Sequence, residues 1–499
     1  MAARMNGGLT IRQTQWLTGS IMFVVCVLML FFRPQESWYD DAYWADWAYR
    51  ISQGGFITHV WGGDQPSYNP LYAWILAGWY KVAGFSYIKA QLPNLIFALL
   101  AFWVICFRWE EGKLFSNVTS VIGFGFLYWF ADILFWIFAN GRPNTLCILL
   151  GVLSVDSFSR SMDKGRWQDI TSFALWAACM IATSIEGVVF TAVMMIVMTA
   201  LNFKQYIQRW WIYIVYAVSS ITGFLLELAY MTYHNCGLAF LRTQFGFSST
   251  VNNLMQRLHI SGWESSIGVV KQTGLTLTER LTQTSLDGII INKEYIVGII
   301  LVVCLLVTTI VRRQWKELTR FERSVIVASV VMPWAYILAG RYVSYYTWAA
   351  YIPCIVALFI LMQQQVKHIK IATPILVVLS LSYFIFSGNH QTFKTIDLHR
   401  VADQKNISDI EQLQIGNDEA IYIPYAWYYY LTERNNHLYF LGSGRYVKAM
   451  KRMVLTTEEE IQNWQKAFEL EYIQDIGNRK VYRVLGDYGN NTLKDTEKQ

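Results

Sequence analysis

Long apolar stretches broken by short polar turns run through the first 390 residues of the chain. Eleven of them, at 14–32, 90–107, 114–132, 144–158, 171–184, 187–202, 210–230, 294–311, 324–340, 347–364 and 371–387, approach the length of about 17 to 25 residues that carries a helix across a bilayer. Lys and Arg gather in alternate connections. They are Arg4 and Arg12 before the first run, Arg108 and Lys113, Arg160, Lys164 and Arg166, Lys204 and Arg209, then Arg312, Arg313, Lys316, Arg320 and Arg323, and last Lys367 and Lys370. Cytoplasmic connections concentrate these residues, so the pattern predicts a cytoplasmic N-terminus and, with an odd number of spans, a C-terminal segment on the opposite face. The first run ends in Phe31-Phe32-Arg33-Pro34 with no small-residue cleavage pattern, and is expected to be a retained anchor.

Three polar segments fall on the face away from the cytosol. Two are loops of a membrane domain over 1–387, at 33–89 and 231–293, and the third is the tail at 388–499. The tail alternates apolar strands at Ile421–Ile423 and Leu438–Phe440 with a helix that opens at Thr457, has Glu460 three residues on as a capping box, and runs toward Leu470. Asn478 before Lys480–Val484 predicts a hairpin, and the whole reads as a small α/β domain. Its aromatic group, Tyr422, Tyr425, Trp427, Tyr428, Tyr429 and Tyr430, is open to three readings: domain packing, contact with the membrane surface, or stacking on sugar rings.

Composition agrees with the pattern. The 499 residues are 54% hydrophobic and only 15% charged, against about 25% charged in soluble proteins. The net charge of +6 is spread in small groups between apolar runs, not laid out as a basic stripe, so nucleic acid is not an expected partner. Six of the seven cysteines lie inside apolar runs with no C-x-x-C spacing, where a cysteine is ordinarily a small packed hydrophobe.

Beyond the first run the chain reads Trp38-Tyr39-Asp40-Asp41-Ala42-Tyr43-Trp44. Adjacency and partial burial raise a carboxylate's pKa toward the range of a general base, while the plainer reading is a solvated acidic turn among interfacial aromatics. Further on, Asn69-Pro70-Leu71-Tyr72-Ala73-Trp74, with Lys81 and Gly84 following, predicts a helix capped by Asn69 with Pro70 as its first residue. Its aromatics suit a helix lying in the interface, for anchoring or for substrate.

Together these residues resemble the first outer loop of the type C glycosyltransferases, in particular the branch with protein O-mannosyltransferases and lipid A aminoarabinose transferases. The resemblance covers roughly residues 10–390 and implies a polytopic helical fold, a polyprenyl-phosphate-linked sugar as donor, and a glycan, lipid or protein as acceptor at the non-cytoplasmic face. It makes Asp40 the catalytic base with Asp41 beside it, leaves a divalent metal on Asp40 or Asp41 open, and points to the plasma membrane of a bacterium, with membrane lipid as surroundings.

Other segments extend the resemblance. Gly141-Arg142-Pro143-Asn144 is similar to the family's G-R-P-D, with Asn144 where an acid is usual, so a second-acid role there is in doubt. Asp132, charged in an apolar run, is either a replacement for that acid or a residue of the headgroup layer. Thr183-Ser184-Ile185-Glu186-Gly187 is similar to T-x-P-E-G, and Glu186 either binds substrate or shapes the turn. Arg341-Tyr342 with Tyr345-Tyr346 is similar to R/K-Y-x-x-Y; Arg341 and Arg142 break the charge rule on the outer face, as phosphate contacts or as anchors. The histidines lack metal spacing. The resemblance implies single displacement with inversion, Asp40 taking the acceptor's proton and the arginines stabilising the departing phosphate. An oligosaccharide ligase or polymerase is the alternative of the same class. A transporter or lipid flippase is the alternative of another class, disfavoured because the unusual charges sit at outer helix ends and no internal repeat is visible.

Overall fold

A computed structural model describes residues 9–33, 35, 40–54, 69–234, 237, 240–241, 293–338, 348–366, 403–416, 419–431, 438–439, 450–466 and 468–487; the side chains of Asp40, Asp132 and Glu186 fall outside that description. The helices, in chain order, are α1 (Ile11–Phe31), α2 (Asp40–Ser52), α3 (Leu71–Ala83), α4 (Tyr87–Phe107), α5 (Val118–Phe130), α6 (Asp132–Phe138), α7 (Asn144–Lys164), α8 (Trp167–Ile181), α9 (Ile185–Leu201), α10 (Phe203–Tyr206) and α11 (Trp211–Tyr233). After them come α12 (Lys293–Val311), α13 (Arg320–Leu338) and α14 (Tyr351–Val366). Helices therefore stand at ten of the predicted runs, and the eleventh, 371–387, lies outside the described residues.

Among the described residues α1, α4, α7 and α11 are each long and apolar enough to cross a membrane, and α9 joins them if it and the next segment, bent by 105°, form one span. The protein is a multi-pass membrane protein. α1 packs on α4 and α5, α4 on α7, α7 on α8 and α9, α8 on α11, α9 on α13, and α14 closes the bundle against α5, α12 and α13. Polar termini decide where helices begin: Thr10 caps α1 with Gln13 reciprocating, and Asn117 accepts from the Ser120 N–H at 2.7 Å to start α5.

The arginine-rich connections meet at one end of the bundle. There Arg108, just past α4, donates through Nε and a terminal nitrogen to Asp156 Oδ2 at 3.1 and 3.0 Å, and Arg160 joins the same oxygen at 2.7 Å. Buried charge is tolerated because it is paired and hydrogen-bonded. Loop one lies at the other end of α4, about 25 Å away from Gln91 to Arg108 at 1.5 Å per residue.

The tail builds a five-stranded sheet in the order β2-β1-β3-β5-β4, from β1 (Ile421–Tyr422), β2 (Leu438–Tyr439), β3 (Arg452–Leu455), β4 (Phe468–Ile476) and β5 (Arg479–Asp487). β1 is parallel to β2 and β3, and β5 is antiparallel to β3 and β4. Helices α15 (403–413), α16 (Tyr428–Leu431) and α17 (Glu458–Gln465) accompany it. Thr457 caps α17, accepting from the Glu460 N–H at 3.1 Å, but the helix expected to run toward Leu470 stops at Gln465. From Phe468 on, the residues of β4 pair with β5, with breaks in register at Glu469/Leu470 and Tyr472/Gln474, so Leu470 belongs to a strand. The predicted hairpin turns at Gly477-Asn478. Asn69 does not cap α3 either: the helix begins at Leu71, and the Asn69 amide donates to Ile181 O at 2.9 Å and to Glu227 Oε2 at 3.0 Å.

Candidate active site

The site is built on the first turns of α4. Ser86 caps the helix, its hydroxyl accepting from the Lys89 N–H at 3.4 Å. Pro93 lacks an N–H and so cannot bond the Lys89 carbonyl four residues back. The Trp79 indole of α3 donates to that carbonyl instead, at 2.8 Å, which pins loop one to the helix. Gly84 ends α3 at φ +78°, a conformation glycine adopts without strain, and its N–H donates to Tyr80 O.

Gln91 and Asn94, one turn apart, then gather the motifs. Gln91 Nε2 donates to Asp41 Oδ2 at 3.3 Å and to the Tyr429 hydroxyl of the tail at 3.4 Å. Asn94 donates to the carbonyls of Asn140 and Arg142, and accepts from the Tyr72 hydroxyl at 3.1 Å. Gly141 fits against this helix because a Cβ there would stand 3.2 Å from Gln91 Oε1 and 3.5 Å from Ala90 O.

α2 brings Asp40 and Asp41 into its first turn, where the helix dipole favours negative charge. Asp41 is 2% exposed, and its Oδ1 accepts from the Ala42 N–H at 2.8 Å. Behind it Tyr43, Trp44 and Trp47 pack on one another, and Trp44 meets Tyr72 edge to face at 5.6 Å. Arg142 is buried, its guanidinium 5.7 Å from the centre of the Trp136 ring. Tyr72 feels both the Asp41 and the Arg142 charges. Burial, and after it the Asp41 charge, push the Tyr80 and Tyr429 hydroxyls above their usual range, so both stay protonated. Among the described residues the Tyr80 hydroxyl and Gln91 Oε1 are buried without a hydrogen-bond partner, as groups that meet a ligand or water are.

The tail completes this end of the bundle. The Tyr428 hydroxyl donates to Asp46 Oδ1 at 3.1 Å, Arg50 donates to Asp46 Oδ2 at 2.8 Å, and Arg50 also reaches the carbonyl of Leu438 in β2 at 3.4 Å. Tyr430 bonds Asp403, which accepts from the Gln35 N–H at 3.1 Å. Burial pushes the Asp46 carboxyl above its usual range, against the pull of Arg50 and Tyr428.

The structure thus gathers Asp41 and Arg142 around Tyr72 and the first turns of α4. Asn144 lines a small cavity between α6, α7, α9 and α13 with Ile137, Cys147, Gly187, Phe190 and Tyr336. Asp132 opens α6 and Glu186 falls in the first turn of α9. Arg341 and Tyr345 lie outside the described residues. Both oxygens of Asp41 already accept hydrogen bonds, and among the described residues no three His, Cys, Asp or Glu side chains gather as a metal donor set. Gln91 and Asn94 were not among the residues singled out from the sequence, and Tyr429 was noted only as one of the tail's aromatic group. Two amides three residues apart beside a proline, at the loop end of an apolar run, are the signal that marks the first two.

Residues 64–228 match the family model of dolichyl-phosphate-mannose-protein mannosyltransferases. That stretch holds α3, α4, the Gly141–Asn144 turn and most of α11, and stops short of the acidic pair and of the tail. No curated protein matches the chain. Among solved structures, the oligosaccharyltransferase of Archaeoglobus fulgidus, in complex with zinc and sulfate, aligns over 92% of this chain and 72% of its own, at 10% identity and a TM-score of 0.50. ArnT from Cupriavidus metallidurans, bound to undecaprenyl phosphate, aligns over 94% and 97%, at 12% identity and a TM-score of 0.46. The arabinosyltransferase EmbB from Mycobacterium smegmatis aligns over 95% and 46%, at 12% identity and a TM-score of 0.41. At 10% identity the likeness to the oligosaccharyltransferase is one of fold.

Proposed function

We propose that this chain, a glycosyltransferase of the type C superfamily, transfers a sugar from a polyprenyl-phosphate carrier to a glycan, lipid or protein at the non-cytoplasmic face, with inversion at the anomeric carbon. The observation that carries the reading is the convergence of Asp41, Tyr72, Asn94 and Arg142 on the loop-one end of α4, remote from the arginine-rich end. Charge placement supports the sidedness, since Arg108, Arg160 and Lys164 share the far end.

In this reaction the acceptor hydroxyl or amine loses its proton to Asp40 while its lone pair attacks the anomeric carbon. The bond from that carbon to the phosphate oxygen breaks, and the polyprenyl phosphate leaves with the electron pair. Asp41, held by Gln91 and by the helix N-terminus, fixes the first turn of α2 and so the position of Asp40. Arg142, withdrawn from solvent against Trp136, offers the leaving phosphate a preorganised positive charge, and Arg341 is assigned to the same phosphate. The unpartnered Tyr80 hydroxyl is a donor for a sugar oxygen. Asn144, Glu186, Asp132 and Tyr345 are assigned to substrate binding around this centre. The setting is a bacterial plasma membrane with the tail outside.

Mass spectrometry of envelope glycans and lipids tests the proposal. A strain lacking the protein should lose one sugar substituent, which the wild-type chain restores and the inserted Asp40→Asn chain does not. Full restoration by Asp40→Asn would remove that residue as the base.

A further inference from the structure

Three consecutive tyrosines at the start of α16 each reach loop one or its neighbours. Tyr428 bonds Asp46, Tyr429 bonds Gln91, and Tyr430 bonds Asp403, which holds the backbone at Gln35. Tyr429 differs from the other two in its partner. Gln91 has two amide hydrogens; one goes to Asp41 and the other to the Tyr429 hydroxyl, a partner 338 residues away in sequence. The ring of Tyr429 is itself fixed, stacked at 6.2 Å on Phe85 and set edge to face at 5.1 Å on Tyr87. Were the amide turned over, its oxygen would face the Asp41 carboxylate, acceptor against acceptor. The carboxylate therefore sets the orientation of the amide, and the tail supplies the acceptor for its second hydrogen.

We propose that Tyr429 is a positioning residue for sugar transfer, acting through the Gln91 amide on Asp41, so that the tail domain is a working part of the membrane-domain site. The inference rests on the reading of Asp40 and Asp41 as the reactive end of the protein. Among the described residues, groups acting on Asp41 come from three elements: Tyr72 and Tyr80 from α3, Tyr87 and Gln91 from α4, Tyr429 from the tail. Of these Tyr429 alone comes from outside the membrane domain.

The test is steady-state kinetics of the full-length protein with its lipid-linked donor, comparing Tyr429→Phe, Gln91→Leu, the double variant, Asp40→Asn and Asp41→Asn. Phenylalanine keeps the ring in place and removes only the hydroxyl. Tyr429→Phe should lower kcat by roughly 10-fold, the effect of one hydrogen bond on a buried polar group, while KM for the donor changes by less than about 2-fold. Gln91→Leu should lose at least as much, and the double variant no more than Gln91→Leu alone, because both act through one amide. A merely structural tail contact would leave kcat untouched, or give losses that multiply in the double variant. Either result, with the acid variants inactive, overturns the inference alone. Wild-type turnover in both Asp40→Asn and Asp41→Asn overturns the reading of the site and the inference with it.

Discussion

Gln91 and Asn94 commit both amide hydrogens each, in a helix whose surroundings are apolar. Losing one of these partners would leave a buried amide hydrogen unsatisfied, so the two side chains hold the groups they bond in place. At Asp46 burial disfavours the charged form. Its folded-state pKa lies above the unfolded one because burial outweighs the Arg50 pair and the Tyr428 bond. A group of that sign contributes stability that is full below the unfolded pKa, about 4 for an aspartate, and is lost as pH rises through the folded value. The melting temperature of the wild type, measured against Asp46→Asn across pH values above about 4, should therefore fall relative to the variant as pH increases. A wild type that gains on the variant with rising pH would show that the Arg50 pair outweighs burial.

At the scale of elements, α3 is the joint between loop one and the bundle. Its start is tied by Asn69 to Ile181 O and Glu227, by the Leu71 N–H to Ala182 O at 3.3 Å, and by Trp74 edge to face on Tyr230 at 4.7 Å. Asn69→Leu would strand the Ile181 carbonyl and one Glu227 oxygen, at about 1 to 3 kcal/mol for each group left unsatisfied. Hydrogen exchange should then speed up in the first turn of α3, with the interior of α8 unchanged; equal protection in both proteins would mean that Leu71 and Trp74 anchor the helix without Asn69. This joint also shows where sequence reasoning ends. The Asn69-Pro70 pair does signal a helix start, yet it cannot say whether the asparagine faces its own backbone or a neighbour, because an N-cap and an interhelical donor use the same side chain. The strand at Phe468–Ile476 eluded the pattern for a related reason: it carries polar residues on its exposed face and follows a capped helix without a glycine or proline between them.

Across the whole molecule, hydropathy and the positions of Lys and Arg were enough to find helices at ten of the predicted runs, since the bilayer requires apolar length and internally bonded backbone. The acidic pair and the Gly141–Asn144 turn were legible as well, being short and local. What joins them was not. Gln91, Asn94 and Tyr429 act through contacts between distant parts of the chain, and the partners in such contacts leave no spacing to read.

The account stands on the acid pair of α2 as the place where sugar leaves its lipid phosphate. The most direct measurement is the rate at which the purified protein, in lipid nanodiscs, liberates polyprenyl phosphate from a panel of polyprenyl-phosphate sugars in the presence of envelope acceptors. One donor in the panel should turn over, and Asp40→Asn should slow it by roughly 100-fold or more, the usual effect of removing a general base. Release at the wild-type rate by Asp40→Asn would contradict the account.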